Sequence, residues 1–185
     1  MVGERSEKTI TFPLAQHYRE VYHVPDKNSF IHDPGMIKMP DGKLLVFSPC
    51  WKKSGEDTYD CTVKVSQSSD GGINWNVIAT LPYCEATPFL YDGVLYLYTE
   101  FRQHDGVYVT CSHDGGYTWE KEVQVSEKGY WNCQTSMVIR DDKLYWCMDE
   151  EHLRLAAVCC DLKKGVMNPE AWRFSEPLTL SLIHI

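Results

Sequence analysis

The sequence predicts an all-β chain folded as a β-propeller of four-stranded antiparallel blades, with about three blades present, and three observations carry that prediction. First, Ser68-Ser69-Asp70-Gly71-Gly72-Ile73-Asn74-Trp75 recurs 44 residues later as Ser112-His113-Asp114-Gly115-Gly116-Tyr117-Thr118-Trp119, a spacing typical of one four-stranded blade. Second, a further repeat runs out of phase with it: Met39-Pro40-Asp41-Gly42-Lys43-Leu44-Leu45, Leu90-Tyr91-Asp92-Gly93-Val94-Leu95-Tyr96 and Arg140-Asp141-Asp142-Lys143-Leu144-Tyr145. Its leucines Leu44, Leu95 and Leu144 stand 51 and 49 residues apart. Asp-Gly between β-rich runs marks a type I′ hairpin, in which both central residues take positive φ. Third, the intervening runs are near-continuous Val, Leu, Tyr and Cys, as in strands covered on both faces. No helix is required anywhere.

In chain order, residues 9–26, centred on Arg19–Val24, are a candidate outer strand closing the last blade. Blade one occupies 33–80, with strands near 35–40, 43–49, 59–67 and 75–80. Blade two occupies 85–125, with strands near 86–91, 94–101, 107–112 and 118–125. Blade three occupies 132–176, with strands near 133–140, 143–149, 154–160 and 171–176. Its last turn is degenerate: Trp172 arrives late, after an insertion containing Pro169. Residues 178–185 follow without a turn signal and read as a truncated end, making 1–185 a partial propeller domain.

In the repeated turns an Asp accepts backbone N–H groups, the glycines take positive φ and the Trp packs between strands. Ser68, Asp70, Gly72 and Trp75, and equally Ser112, Asp114, Gly116 and Trp119, are therefore structural residues, despite two tempting carboxylates.

Composition narrows the function. The chain has 185 residues, 43% hydrophobic and 24% charged, with a formal net charge of −8. That is enough to bury a core without a metal or disulfide staple. The negative charge, with no basic patch, argues against nucleic acid and anionic membrane surfaces. Leu44–Phe47 and Gly93–Tyr98 are the longest apolar runs, far short of a spanning helix. The polar start, Met1 to Lys8, lacks the apolar core of an export signal, so a cytoplasmic location and eight reduced cysteines are expected. No CxxC pair is present and Cys159-Cys160 would face opposite sides of a strand, so no metal or other cofactor is expected.

The pattern Ser-x-Asp-x-Gly-x-Thr-Trp is that of the Asp-box, or bacterial neuraminidase repeat, and over residues 20–176 the chain resembles the sialidase-like superfamily. The resemblance implies a ring of about six blades, with these turns on one rim and the sugar site on the other. Starts of first strands and ends of second strands would then line the functional rim. The catalytic candidates are His32, Asp33, Asp57 and Asp60. Candidates for contacting substrate are Trp51, Glu85, Glu100, Arg102, Trp131, Gln134, Asp149 and Glu150. Carboxylates and flat rings around a concave mouth suit a glycan, one group protonating the leaving oxygen while rings cover the sugar face.

Each candidate also has a plainer reading: a loop hydrogen bond for His32, a solvated loop for Asp57 and Asp60, a surface ion pair for Glu100 with Arg102, rim packing for the tryptophans. Where sialidases begin blade one with Arg-Ile-Pro, this chain has His32-Asp33-Pro34, so the first member of the substrate-carboxylate clamp is missing. The resemblance implies an aspartate acid/base before the first repeat, where Asp57 and Asp60 lie. The expected function is a sialidase-like, exo-acting glycoside hydrolase. A noncatalytic glycan-binding propeller, or a glycosidase or lyase for a uronic or neutral sugar, stands beside it, as does a protein-interaction scaffold.

Overall fold

The computed structural model describes residues 18–56, 58–101, 106–129, 137–150 and 154–177, with backbone alone for Asp149, Glu150 and Arg154. It is all-β: three antiparallel sheets follow one another along the chain, and no α-helix occurs among the described residues. Blade one contains β1 (Ser29–Ile31), β2 (Gly35–Lys38), β3 (Leu44–Lys53), β4 (Tyr59–Ser68) and β5 (Asn76–Leu81). Blade two contains β6 (Glu85–Tyr91), β7 (Val94–Glu100), β8 (Val107–Ser112) and β9 (Val123–Ser126), and blade three β10 (Val138–Arg140), β11 (Lys143–Glu150), β12 (Arg154–Asp161) and β13 (Trp172–Phe174).

Blade one departs from the expected four strands because its inner edge is split. β2 pairs with Leu44–Phe47 of β3, and the unexpected β1 pairs with Cys50–Lys52 of the same strand. Between them the His32 N–H still reaches the Pro49 carbonyl at 2.9 Å. Asp33 and Pro34 thus face Ser48 two against one, a bulge that the missing N–H of Pro34 and the positive φ of 31° at Asp33 make necessary. Of the candidate closing strand 9–26, residues 9–17 lie outside the described residues and 18–26 form no strand. The tail 178–185 also lies outside them.

The hairpins between first and second strands follow their local chemistry. Asp92-Gly93 and Asp141-Asp142 both take positive φ, at 48° and 76°, and 51° and 57°. At Asp41-Gly42 only the glycine does, which corrects the type I′ expectation there. Pro40 has no N–H to close a two-residue loop, so closure moves outward to the Met39 N–H, which bonds the Lys43 carbonyl at 2.8 Å.

The two repeated turns are built from matching hydrogen-bond networks. Asp70 accepts Ser68 Oγ, the Ile73 and Asn74 N–H groups and Asn74 Nδ2. Asp114 accepts Ser112 Oγ, the Tyr117 and Thr118 N–H groups and Thr118 Oγ1. Trp75 and Trp119 each donate Nε1 to the glycine carbonyl three residues back, at 3.0 Å. In the degenerate third turn Trp172 donates instead to Val166. The insertion, read in the sequence as part of a degenerate turn, coils into two 3-10 turns, Leu162–Lys164 and Pro169–Ala171. Asn168 caps the second by accepting the Glu170 N–H, and Pro169 sits at its first position, where no N–H is needed.

The core lies between successive blades. Leu45, Phe47, Val63, Val65, Ala86, Leu95 and Leu97 pack blade one onto blade two, and Tyr98, Val107, Leu144, Trp146, Met148 and Val158 pack blade two onto blade three. Gly35 brings the inner strands together: an added Cβ would stand 2.7 Å from Pro88 Cδ and 2.9 Å from the Ala86 carbonyl. A disulfide joins Cys61 on β4 to Cys84 just before β6, correcting the expectation of eight reduced thiols. Their separation of 23 residues hides a contact created by the packing of one blade on the next. Cys50, Cys111 and Cys160 are buried thiols that pack as small hydrophobes.

Candidate functional site

Strand register sets the two rims apart. β3 and β4 pair Leu44 with Ser68 at the end that carries the repeated turn and Lys53 with Tyr59 at the other. The bulge His32-Asp33-Pro34 belongs to this second, upper end, as do Trp51, Glu85 and the Cys61–Cys84 disulfide.

There two blades converge. His32 Nδ1 lies 3.1 Å from Glu85 Oε1 and 3.6 Å from Asp33 Oδ2. With carboxylate oxygens as acceptors, Nδ1 is the donating nitrogen, which in a neutral ring leaves Nε2 as the acceptor. The Glu85 side chain is only 3% exposed, so it orients His32 from beneath. The Asp33 side chain, 42% exposed, faces outward. The positive φ at Asp33 is a backbone conformation that Asp tolerates better than most residues. Asp33 lines a cleft of about 680 Å³ that runs down the inner strands, together with Met36, Thr87, Phe89, Met137 and Ile139.

Trp51 packs beside His32. Its ring centroid lies 5.5 Å from that of His32, and its indole N–H bonds the Cys84 carbonyl at 3.1 Å, one residue before Glu85. Histidine, indole and carboxylate are thereby held from two blades by one short segment that the disulfide anchors.

Ligand atoms of His32, Asp33 and Glu85 lie within 4.8 Å of one another, close enough to share an ion. Among the described residues one other group does the same, Cys111, His113 and Glu120 near the lower rim. Its thiol is pushed up to about 11, first by burial and then by Glu120, which makes it a poor thiolate donor.

The other expected site residues separate. Glu100 is the cross-strand partner of Glu85 but is wholly buried, so it packs beneath the rim. Asp60 pairs with Lys52, on the opposite sheet face from Trp51 and Tyr59, and points away from His32. Asp57, Arg102, Trp131 and Gln134 lie outside the described residues, and of Asp149 and Glu150 only the backbone belongs to them. Residue-type reasoning missed Phe30 and Tyr59, which pack against Trp51. The available signal was their shared face with Trp51, which required β1 to be recognised as a strand.

No protein-family model matches the sequence, and no curated protein does. Solved structures do share its fold. A Penicillium chrysogenum alpha-L-arabinanase complexed with arabinobiose matches with TM-score 0.57 at 15% identity, over 82% of this chain and 50% of that one. A xylan beta-1,4-xylosidase from Bacillus halodurans matches with TM-score 0.60 at 10% identity, over 80% and 30%. The NanB sialidase from Streptococcus pneumoniae matches with TM-score 0.57 at 10% identity, over 82% and 40%. The chain thus spans half or less of the length of these structures, and the likeness is one of fold, a β-propeller architecture.

Proposed function

We propose that this chain supplies the upper-rim site of an exo-acting, sialidase-like glycoside hydrolase, in which the repeated turns are Asp-boxes and the terminal sugar enters the cleft beside Asp33. One observation carries the proposal: His32 and Asp33 from blade one and Glu85 from blade two converge at the mouth of that cleft. Asp33 is the exposed carboxylate that acts at the sugar. His32, its tautomer fixed by Glu85, hydrogen-bonds a sugar hydroxyl or moves a proton through Nε2. Carboxylate oxygens of Asp33 and Glu85 lie within 4.8 Å, shorter than the spacing of about 6.5–9.5 Å that an inverting pair requires.

The sugar is a neutral one. His32 stands where a sialidase clamp has arginine, and a histidine cannot form the two-pronged grip on a carboxylate. The arabinobiose held by the matching arabinanase fits a site built for a neutral furanose or pyranose.

The test is turnover by the full-length protein on nitrophenyl arabinofuranoside and xyloside against a fluorogenic sialoside. The expected result is cleavage of a neutral glycoside, lost in Asp33→Asn. Preferential cleavage of the sialoside would overturn the neutral-sugar assignment. A noncatalytic glycan-binding role is favoured by the burial of Glu85 and Glu100, which leaves Asp33 as the accessible carboxylate of the three. Sugar binding without turnover would select that role.

A further inference from the structure

The face of blade one that ends at His32 continues outward. Phe30 and Cys61 both pair with Trp51, and Tyr59 pairs with Lys53. Directly paired residues share a sheet face, so Phe30, Trp51, Lys53 and Tyr59 lie together beside His32. The Phe30 ring stacks on Trp51 at 6.2 Å with an interplanar angle of 25°. Tyr59 stands edge-on to Phe30 at 5.8 Å and to Trp51 at 5.8 Å.

Burial divides the roles within this cluster. Trp51 is 7% exposed and has its N–H satisfied, so it is the floor. Phe30 and Tyr59 are 42% and 41% exposed and present ring surface to water. Exposed aromatic area forgoes about 25 cal/mol per Å² of burial. Rings held this firmly would bind a flat apolar surface at little cost in side-chain entropy. A charged group flanks them, Lys53 on the same face. An apolar ring face edged by hydroxyls matches that arrangement better than an extended hydrophobic partner. The shelf rings do not line the cleft that holds Asp33, so a ligand spanning both must be longer than one sugar.

We propose that Phe30 and Tyr59 form a second sugar subsite, receiving the residue on the leaving-group side of the scissile bond by stacking on its apolar face. The assignment rests on the reading that the terminal sugar occupies the cleft at Asp33.

Calorimetric titration of the full chain with arabinobiose, xylobiose, arabinose and xylose tests it. One disaccharide should bind about tenfold tighter than its own monosaccharide, the equivalent of one good aromatic contact. Phe30→Ala and Tyr59→Ala should erase that advantage and leave the monosaccharide Kd unchanged, and Tyr59→Phe should keep it. Phe30→Leu, which retains apolar bulk without a flat ring, should lose it too and guards against a folding defect in the alanine variant. Equal affinity for disaccharide and monosaccharide, an advantage that survives ring removal, or no binding of any of these sugars would overturn the subsite. If disaccharide binding depends on the rings while full-length Asp33→Asn retains turnover, the shelf stands and the catalytic reading of Asp33 fails.

Discussion

The two rims of blade one are built by opposite strategies. At the lower rim every hydrogen bond that Asp70 and Asp114 accept spans two to four residues, so each aspartate spends its oxygens on neighbouring donors. At the upper rim the decisive contacts span 53 residues, from His32 to Glu85, and 33 residues, from Trp51 to Cys84. There a carboxylate and two aromatic rings remain open to water. A network that closes on itself stabilises the fold and has no capacity left for a ligand. A surface held rigid from elsewhere, with its polar atoms still available, can bind one.

The largest effect that would sharpen this contrast is loss of the Cys61–Cys84 bond. Its 23-residue separation corresponds to about 3 kcal/mol of loop-closure entropy. A Cys61→Ser/Cys84→Ser chain should lose that much in urea unfolding, with sugar binding weakened because Trp51 and Glu85 are anchored beside Cys84. Unchanged binding would show that the upper rim does not depend on the staple. Next is Gly35→Ala, whose added methyl group meets Pro88 and the Ala86 carbonyl. Overpacking of this kind costs about 1–3 kcal/mol and should move both the midpoint of unfolding and the cleft below Asp33.

Asp114→Ala should cost about 1 kcal/mol, a fall in Tm of about 2–4 °C for a domain of this size, with no change in sugar affinity. The smallest effect is the acid response of the same turns. Accepted hydrogen bonds, from Thr118 foremost at Asp114 and from Asn74 foremost at Asp70, hold both carboxyls at about 2, below the ordinary 3.8. A depressed folded-state pKa contributes stability that is complete above the unfolded value and disappears as pH falls through the folded one. Stability should therefore decline between about pH 4 and pH 2, and Asp114→Ala should flatten that decline in pH-dependent melts.

The blades and their lower turns were legible in the sequence because their signals are local: Asp-Gly pairs, a repeated eight-residue loop and dense β-formers all act within one hairpin. The upper rim was legible only as a set of residue types at strand ends. His32, Asp33 and Glu85 do meet, whereas Asp60 was misplaced. β3 and β4 run out to Lys53 and Tyr59, and strand alternation then puts Asp60 on the other face. β1 was hidden by its length of three residues and by Pro34, which breaks the inner edge. Without β1 nothing brought Phe30 to Trp51. The disulfide stayed hidden because its partners meet only when blade two docks on blade one.

The most direct test of this division of labour is a crossed comparison of Asp33→Asn and Asp114→Ala, measuring Tm and disaccharide affinity for both. Asp33→Asn should keep its Tm and lose binding, and Asp114→Ala should lose Tm and keep binding. An Asp114→Ala protein with altered sugar affinity at unchanged Tm, or an Asp33→Asn protein that binds normally, would contradict it.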